Sequence, residues 1–310
     1  MGMELEAVLL IISLIALVKF STLTIKNAVR FSYLTGISQF TVGFFIIALS
    51  TSLPELSIAI ISSFQGNGAL SLGNLIGANI SDMMLVFGIL AIAGFSLKQR
   101  DTEEAKRIIL ATSLIAALLL ILRMSDLALG IFLLIMFYAF SKTIIKSGVR
   151  VKMRFSGLRS VESVKVLAYL LLSIVCVVVS AYFVTDASVK IAGAFGLAES
   201  AIGGTILAVG TTMPELSVNI AALRKKNMEL AVGDSIGSLM TNFMLILGIA
   251  SVISPIAIGI AAVAGLAMFI VAAAIFYFLL GRGRFGISEG IMLIIFFAAY
   301  LLIMGVAGAI

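Results

Sequence analysis

The sequence predicts an all-α membrane protein: ten transmembrane helices in two inverted five-helix repeats, with broken helices at the centre. Three observations carry this. The 310 residues are 62% hydrophobic and only 12% charged, with a mean hydropathy of +1.24, a balance that soluble domains do not show. Apolar runs of roughly 20 residues, the length that crosses the hydrocarbon layer, recur from end to end. Segment 43–89 also matches segment 203–249 at a fixed offset of 160, with 18 identities in 47 positions and no gap.

The polar breaks between apolar runs mark spans at about 5–30, 38–64, 69–95, 106–123, 126–146, 163–188, 198–222, 229–253, 256–280 and 286–308. The run after Met1 carries Glu4 and Glu6 and no small-residue cleavage site, so it reads as a first span and not a signal peptide. The joins are short, except for the stretch from Ser147 to Glu162, which holds Arg150, Lys152, Arg154 and Arg159. Residues 1–146 therefore form a first five-helix repeat, 147–162 a basic linker and 163–310 a second five-helix repeat.

Lysine and arginine accumulate in cytoplasmic loops. Of the 21 in the chain, 18 fall on one side of the ten-span layout. Arg123 and Lys190 fall on the other, and Lys19 lies inside the first span. This makes the central linker cytoplasmic and both termini extracytoplasmic, in a multi-pass protein of the cell membrane. It also accounts for the net charge of +6 without a nucleic-acid partner. With an odd number of spans in each half, the second half is inserted upside down. Inverted repeats with matching interrupted helices point to a transport site at the bilayer midplane.

The repeats share Gly43/Gly203, Ala48/Ala208, Thr51/Thr211, Pro54/Pro214, Glu55/Glu215, Ser57/Ser217, Gly73/Gly233, Gly77/Gly237 and Gly88/Gly248. The stretches Thr51-Ser52-Leu53-Pro54-Glu55 and Thr211-Thr212-Met213-Pro214-Glu215 each put a proline and a carboxylate inside a span. Proline lacks an N–H, which frees the carbonyls of Ser50 and Gly210. It also pushes the preceding residue toward an extended conformation, so the helix is expected to open there. Free carbonyls, two hydroxyls and a carboxylate gather within one turn, all of them oxygens of the kind a hard cation prefers. An ionisable residue within a span is a functional candidate by default.

A second pair of segments runs Gly73-Asn74-Leu75-Ile76-Gly77-Ala78-Asn79-Ile80-Ser81-Asp82 and Gly233-Asp234-Ser235-Ile236-Gly237-Ser238-Leu239-Met240-Thr241-Asn242. Positions 74, 78 and 82, and likewise 234, 238 and 242, lie along one helical face. The glycines suit close helix packing, and interhelical hydrogen bonding serves Asn74, Asn79, Ser81 and Thr241 equally well. Asp82 and Asp234 are harder to assign to packing. With Glu55 and Glu215 they make four acids at membrane depth with no basic partner, and such a group does not coexist dry. It surrounds cations, shares protons or reaches a water-filled mouth.

Some function classes drop out. The chain has no histidine, which removes imidazole metal sites and histidine proton relays, and no HExxH-type motif supports an intramembrane enzyme. Cys176 is a lone small hydrophobe. Duplicated broken helices suit occluded alternating access better than a channel.

These residues resemble the two alpha repeats of the sodium/calcium exchanger family, and most of all its compact prokaryotic members. The match rests on the stretches 48–55 with 73–77, and 208–215 with 233–238. The resemblance implies an antiporter exchanging calcium, or a similar divalent cation, for sodium, in which two gating helices slide past a rigid core. It implies that Glu55 and Glu215 bind calcium and share it with sodium, with Thr51, Thr211 and the carbonyls of Ala48 and Ala208 completing the sites. Ser52, Thr212 and Ser238 would give hydroxyls to sodium, with Asp82 and Asn242 at the central position. Asn74 and Asp234 stand beside this set. No cofactor or obligatory protein partner is expected, only the transported calcium and sodium, and membrane lipid around the protein.

The chain departs from the family pattern at several positions. Ala78 replaces the usual serine and removes one sodium-liganding hydroxyl, and Ser50 replaces a glycine. Asp234 stands where asparagine is common. The central acid lies in the first repeat, as Asp82, where relatives often carry it in the second. The alternative is a proton-coupled cation antiporter of the same fold.

Overall fold

The computed structural model describes residues 2–35, 51–96, 99–147, 160–224 and 228–309. The first half holds α1 (Gly2–Thr35), α2 (Leu53–Phe64), α3 (Gly68–Ile80), α4 (Phe87–Ile92), α5 (Gln99–Leu122) and α6 (Leu127–Ser147). The second holds α7 (Ser160–Phe195), the short α8 (Glu199–Ile202) and α9 (Ala208–Thr211), then α10 (Met213–Arg224), α11 (Met228–Met240), α12 (Leu247–Ile253), α13 (Ile260–Arg282) and α14 (Ile287–Ala307). Two-residue strands β1 (Phe95–Ser96), β2 (Met124–Ser125), β3 (Ile256–Ala257) and β4 (Arg284–Phe285) sit in the joins.

Among the described residues, seven helical stretches are long and apolar enough to cross a membrane, and Leu53–Phe64 and Leu127–Lys142 are shorter apolar helices. The chain is a predominantly helical, multi-pass membrane protein. The basic linker lies almost wholly outside the described residues, as do Ser50, Ala48 and the start of the expected 38–64 span.

Elements recur at the offset read from the sequence. Helix α2 returns as α10 and α3 as α11, each 160 residues later, and α6 returns likewise as α14. So does a feature that hydropathy does not mark: π-helical turns over Ser81–Val86, between α3 and α4, and over Thr241–Ile246, between α11 and α12. A third covers Gly203–Leu207. A π turn inserts a residue into the i→i−4 ladder and often sits at a functional site.

The halves interlock. Strand β1 pairs antiparallel with β4, setting Phe95 opposite Phe285, and β2 pairs with β3, setting Ser125 opposite Ile256. Beneath the second pair, Ser125 and Ser251 share a buried hydroxyl hydrogen bond of 2.6 Å. Helix α3 lies across the broken helix of the other half at minimal separation. A Cβ on Gly73 would meet the Ser200 carbonyl, and one on Gly77 would meet the Gly204 carbonyl and the Ala208 methyl. These glycines let the backbones touch, as small residues do between membrane helices. Tyr300 fixes the same region, donating its hydroxyl to the Gly204 carbonyl at 2.7 Å.

The α3–α4 and α11–α12 stretches form the centre, with 83% and 78% of their most apolar windows buried. Phe87 packs edge-on to Phe276 at 4.5 Å, and Phe243 lies 4.7 Å from Phe269. Helices α1 and α7 lie at the periphery, with only 24% and 28% buried. They bury Leu10 and Leu17 with Val177, Ala181 and Val184, and they expose Ile11, Ile15, Leu171, Val175 and Val179. That apolar outer face suits lipid. Near the start of α1, Glu6 is 3.3 Å from Lys190 near the end of α7, and Asp186 holds the same ammonium at 2.7 Å.

Candidate cation site

The site begins at the helix breaks. In the second half the break is a single residue, Thr212, at φ −76° and ψ −4°, and Ser52 takes φ −84° and ψ 12°. The helix restarts at once: Leu56 donates its N–H to the Ser52 carbonyl at 2.9 Å, and Leu216 donates to Thr212 at 3.0 Å. The extended residue expected before each proline is not found, since Leu53 and Met213 are the first residues of α2 and α10. Pro54 and Pro214 fall in first turns, where a missing N–H costs nothing because those amides have no helical partner. The bend is taken up one residue earlier and is gentler than the sequence suggested.

This arrangement puts Glu55 and Glu215 in first turns as well, where the positive end of the helix dipole favours an anion. Both are buried, at 1% exposure. Neither oxygen of Glu55, nor Oε2 of Glu215, has a hydrogen-bond partner among the described residues. Asp82 and Asp234 are buried too, and Glu55, Asp82 and Asp234 all stand within electrostatic range of Glu215. No lysine or arginine pairs with these four among the described residues. No three acidic side chains among the described residues converge tightly enough to cage a metal ion. A cation bound here takes hydroxyl, amide or carbonyl oxygens along with carboxylates.

Such oxygens are present. Thr51, Ser52, Thr211, Thr212, Asn74, Ser238 and Asn242 are all buried. The two threonines that open the broken stretches reach across the halves in the same way: Thr51 Oγ1 donates to Asp234 Oδ1, and Thr211 Oγ1 to Asn74 Oδ1, each at 3.2 Å. Positions 74 and 234 are themselves 160 apart, so one contact is made twice. Thr211 also stands beside the Glu55 carboxylate. The Ala208 carbonyl is engaged within its own helix, accepting from the Thr212 N–H at 3.0 Å, from Thr212 Oγ1 at 2.7 Å and from Thr211 Oγ1 at 3.4 Å. Ala48 lies outside the described residues.

Further along α3 and α11, the Ser238 hydroxyl is buried with no partner among the described residues, and its counterpart, Ala78, has no hydroxyl to offer. Asp82 and Asn242 are the second residues of the two π turns. Asn242 Nδ2 donates to Asn79 Oδ1 at 2.8 Å, leaving Asn242 Oδ1 and Asp82 Oδ1 unpartnered among the described residues.

Two features escaped sequence reasoning. Asn79, read from the sequence as suited to interhelical hydrogen bonding, makes such a bond, but the sequence did not say that its partner is Asn242. Asn219, which donates to Ser235 Oγ at 3.0 Å beneath Asp234, gives no signal because its counterpart is Ala59.

Comparison with known proteins identifies the family. A family model described as sodium/calcium exchanger protein matches twice, over residues 5–146 and 165–306, the second match 160 residues after the first. The "Sodium/calcium exchanger MaX1" of Methanosarcina acetivorans is 26% identical, covering 96% of this chain and 97% of its own length. The "Inner membrane protein YrbG" of Escherichia coli is 28% identical, over 82% of this chain and 81% of its own. Among solved structures, the sodium-calcium exchanger NCX_Mj superposes with a TM-score of 0.66 at 24% identity, covering 96% of this chain and 98% of that one, a likeness of fold. With a family model spanning nearly the whole chain in two copies, this protein belongs to the sodium/calcium exchanger family.

Proposed function

We propose that the protein is a secondary antiporter that moves calcium, or a similar divalent cation, against sodium across the cytoplasmic membrane by alternating access. One observation carries the reading. Glu55 and Glu215 are buried at the starts of matching half-helices, unpaired by any base among the described residues, and three of their four carboxylate oxygens have no hydrogen-bond partner there. Buried uncompensated carboxylates are costly, and a cation arriving between them removes that cost. Transporters of this kind place half-helix termini at a midplane site.

The proposed architecture is ten spans in two inverted repeats, 1–146 and 163–310, joined by the basic linker 147–162. The pairing of Glu6, near the start of α1, with Lys190, near the end of its counterpart α7, supports an antiparallel relation between equivalent helices. The same operation exchanges the β1–β4 clasp with β3–β2. By the arginine and lysine bias the linker faces the cytoplasm and both termini face outward. The ligands are Glu55, Glu215, Thr51 and Thr211 with the Ala48 and Ala208 carbonyls for calcium. Ser52, Thr212 and Ser238 serve sodium, with Asp82 and Asn242 between. Within the lightly buried α1–α7 pair and the tightly buried α3–α4 and α11–α12 stretches, the first pair is the element that slides.

Calcium uptake into proteoliposomes under an imposed sodium gradient, and separately under a pH gradient, tests the reading. Uptake that follows sodium supports it. Uptake that follows pH and ignores sodium replaces it with the proton-coupled alternative, which the four buried acids and the missing hydroxyl at Ala78 favour. No uptake under either gradient overturns both.

A further inference from the structure

The two threonine contacts that cross the halves assign a role to Asn74 and Asp234 that differs from cation binding. A threonine hydroxyl has one proton and two lone pairs. Thr211 Oγ1 points its proton at Asn74 Oδ1, 3.2 Å away, and at the Ala208 carbonyl, 3.4 Å away. Thr211 is close enough to the Glu55 carboxylate to interact with it, but its proton is directed to these two oxygens and both Glu55 oxygens stand without a partner in hydrogen-bond geometry among the described residues. Two acceptor oxygens side by side in a buried place repel one another unless a cation or a proton lies between them. Thr51 repeats the arrangement toward Asp234 Oδ1 at 3.2 Å.

We propose that Asn74 and Asp234 are positioning residues: each takes the hydroxyl proton of the threonine from the opposite half, and so turns that threonine's lone pairs toward the transported cation. This rests on the antiporter reading above and deepens it. Neither residue touches the cation. Each acts through its threonine, as groups behind a metal ligand orient it and raise its basicity. The two are not equal. Asp234 is an acid and Asn74 a neutral amide, and whenever Asp234 is ionised, as beside a bound cation, the hydrogen bond it accepts is of the stronger kind. Thr51 is thus held more firmly and made the more electron-rich oxygen, and the half-sites differ although their threonines match. Crossing the halves also means that either threonine is set correctly only when both halves are packed together.

The test is equilibrium calcium binding to the purified full-length protein, paired with calcium flux in proteoliposomes, so that half-saturation and maximal rate are read separately. Asp234→Leu and Asn74→Leu remove the acceptor at similar volume. Each is expected to raise the half-saturating calcium concentration by about 10- to 100-fold, with a smaller change in maximal rate. Asp234→Asn and Asn74→Asp keep an acceptor oxygen and are expected to recover most of the affinity. Asp234→Asn as damaging as Asp234→Leu makes Asp234 a direct ligand and overturns the proposal. Unchanged half-saturation in folded leucine variants overturns it as well, while leaving the antiporter reading intact. A wild-type chain that neither binds nor moves calcium overturns both.

A leucine variant that fails to fold is replaced by Thr211→Val or Thr51→Val, which deletes the donor with little change of shape. Asn74→Ala is expected to weaken binding in the wild-type background and to add little in Thr211→Val. Independent, additive losses would overturn the proposal.

Discussion

The two halves carry the same machinery where the helices break and different chemistry one helix further on. Thr51, Pro54 and Glu55 return as Thr211, Pro214 and Glu215. Asn74, Ala78 and Asp82 return as Asp234, Ser238 and Asn242. Each half supplies one acid and one amide at the first and third of these positions, in opposite order. Taken over the pair of halves the charge is what two identical halves would give, but it lies on a diagonal. The difference teaches that the buried centre is one object built by both halves, since a carboxylate can change sides without altering the total acidic charge placed there.

The largest expected effect lies where the halves agree. Glu55→Gln and Glu215→Gln should each cut divalent flux by on the order of 100-fold or more, because each deletes a charge from a buried site that a cation must neutralise. Size-exclusion elution should be unchanged. Near-normal flux in either mutant would remove that glutamate from the site and break the equivalence of the halves. Next comes the diagonal itself. Asp82→Asn should weaken divalent transport by about tenfold, or roughly 1.4 kcal/mol, and adding Asn242→Asp should return most of it, since this moves the acid to the other half. A double mutant no better than the single would mean that Asp82 acts by position and not by charge.

A smaller effect is expected at the missing hydroxyl. Ala78→Ser should lower the half-saturating sodium concentration by about threefold, the size of one modest added ligand contact of ~0.6 kcal/mol, with calcium half-saturation nearly constant. Indifference to sodium in both proteins would favour proton coupling. The gentlest test leaves transport alone. With Cys176 replaced by alanine, single cysteines at Arg154 and Lys190 probe the orientation: impermeant reagent applied to intact cells should label position 190 and miss 154. The reverse pattern would invert the layout.

What was legible in the sequence follows the same division. A proline and a glutamate inside an apolar run are each expensive, and finding both again 160 residues later marked the breaks, the acids and the glycine-lined crossing of α3. Repeat matching weights what is shared and is blind to what one half has alone. Asn79 faces Leu239 in the alignment, Asn219 faces Ala59 and Ser235 faces Leu75, so the partner of Asn79 and the whole Asn219–Ser235 bond were hidden. The π turns were hidden for a different reason, because one extra residue in a buried helix leaves hydropathy unchanged. The ends of α1 and α7 also ran past the expected spans, to 34 and 36 residues, since a helix that continues beyond the hydrocarbon carries no apolar marker. The local conformation before each proline was misread because a helix start absorbs proline where a helix interior does not.

The two strand clasps bear on how the protein is made. Phe95–Ser96 pairs with Arg284–Phe285, and Met124–Ser125 with Ile256–Ala257, so each clasp joins an early segment to one synthesised more than a hundred residues later. During synthesis the first half enters the membrane with those edges open, and with Asn74 lacking its threonine and Thr51 its aspartate. Its buried acids gain their surroundings only when the second half arrives. A chain stopped before Thr211 would lack Thr211, Glu215, Asp234, Ser238 and Asn242, and with them the partners of Asn74 and Thr51 and both strands that close the clasps.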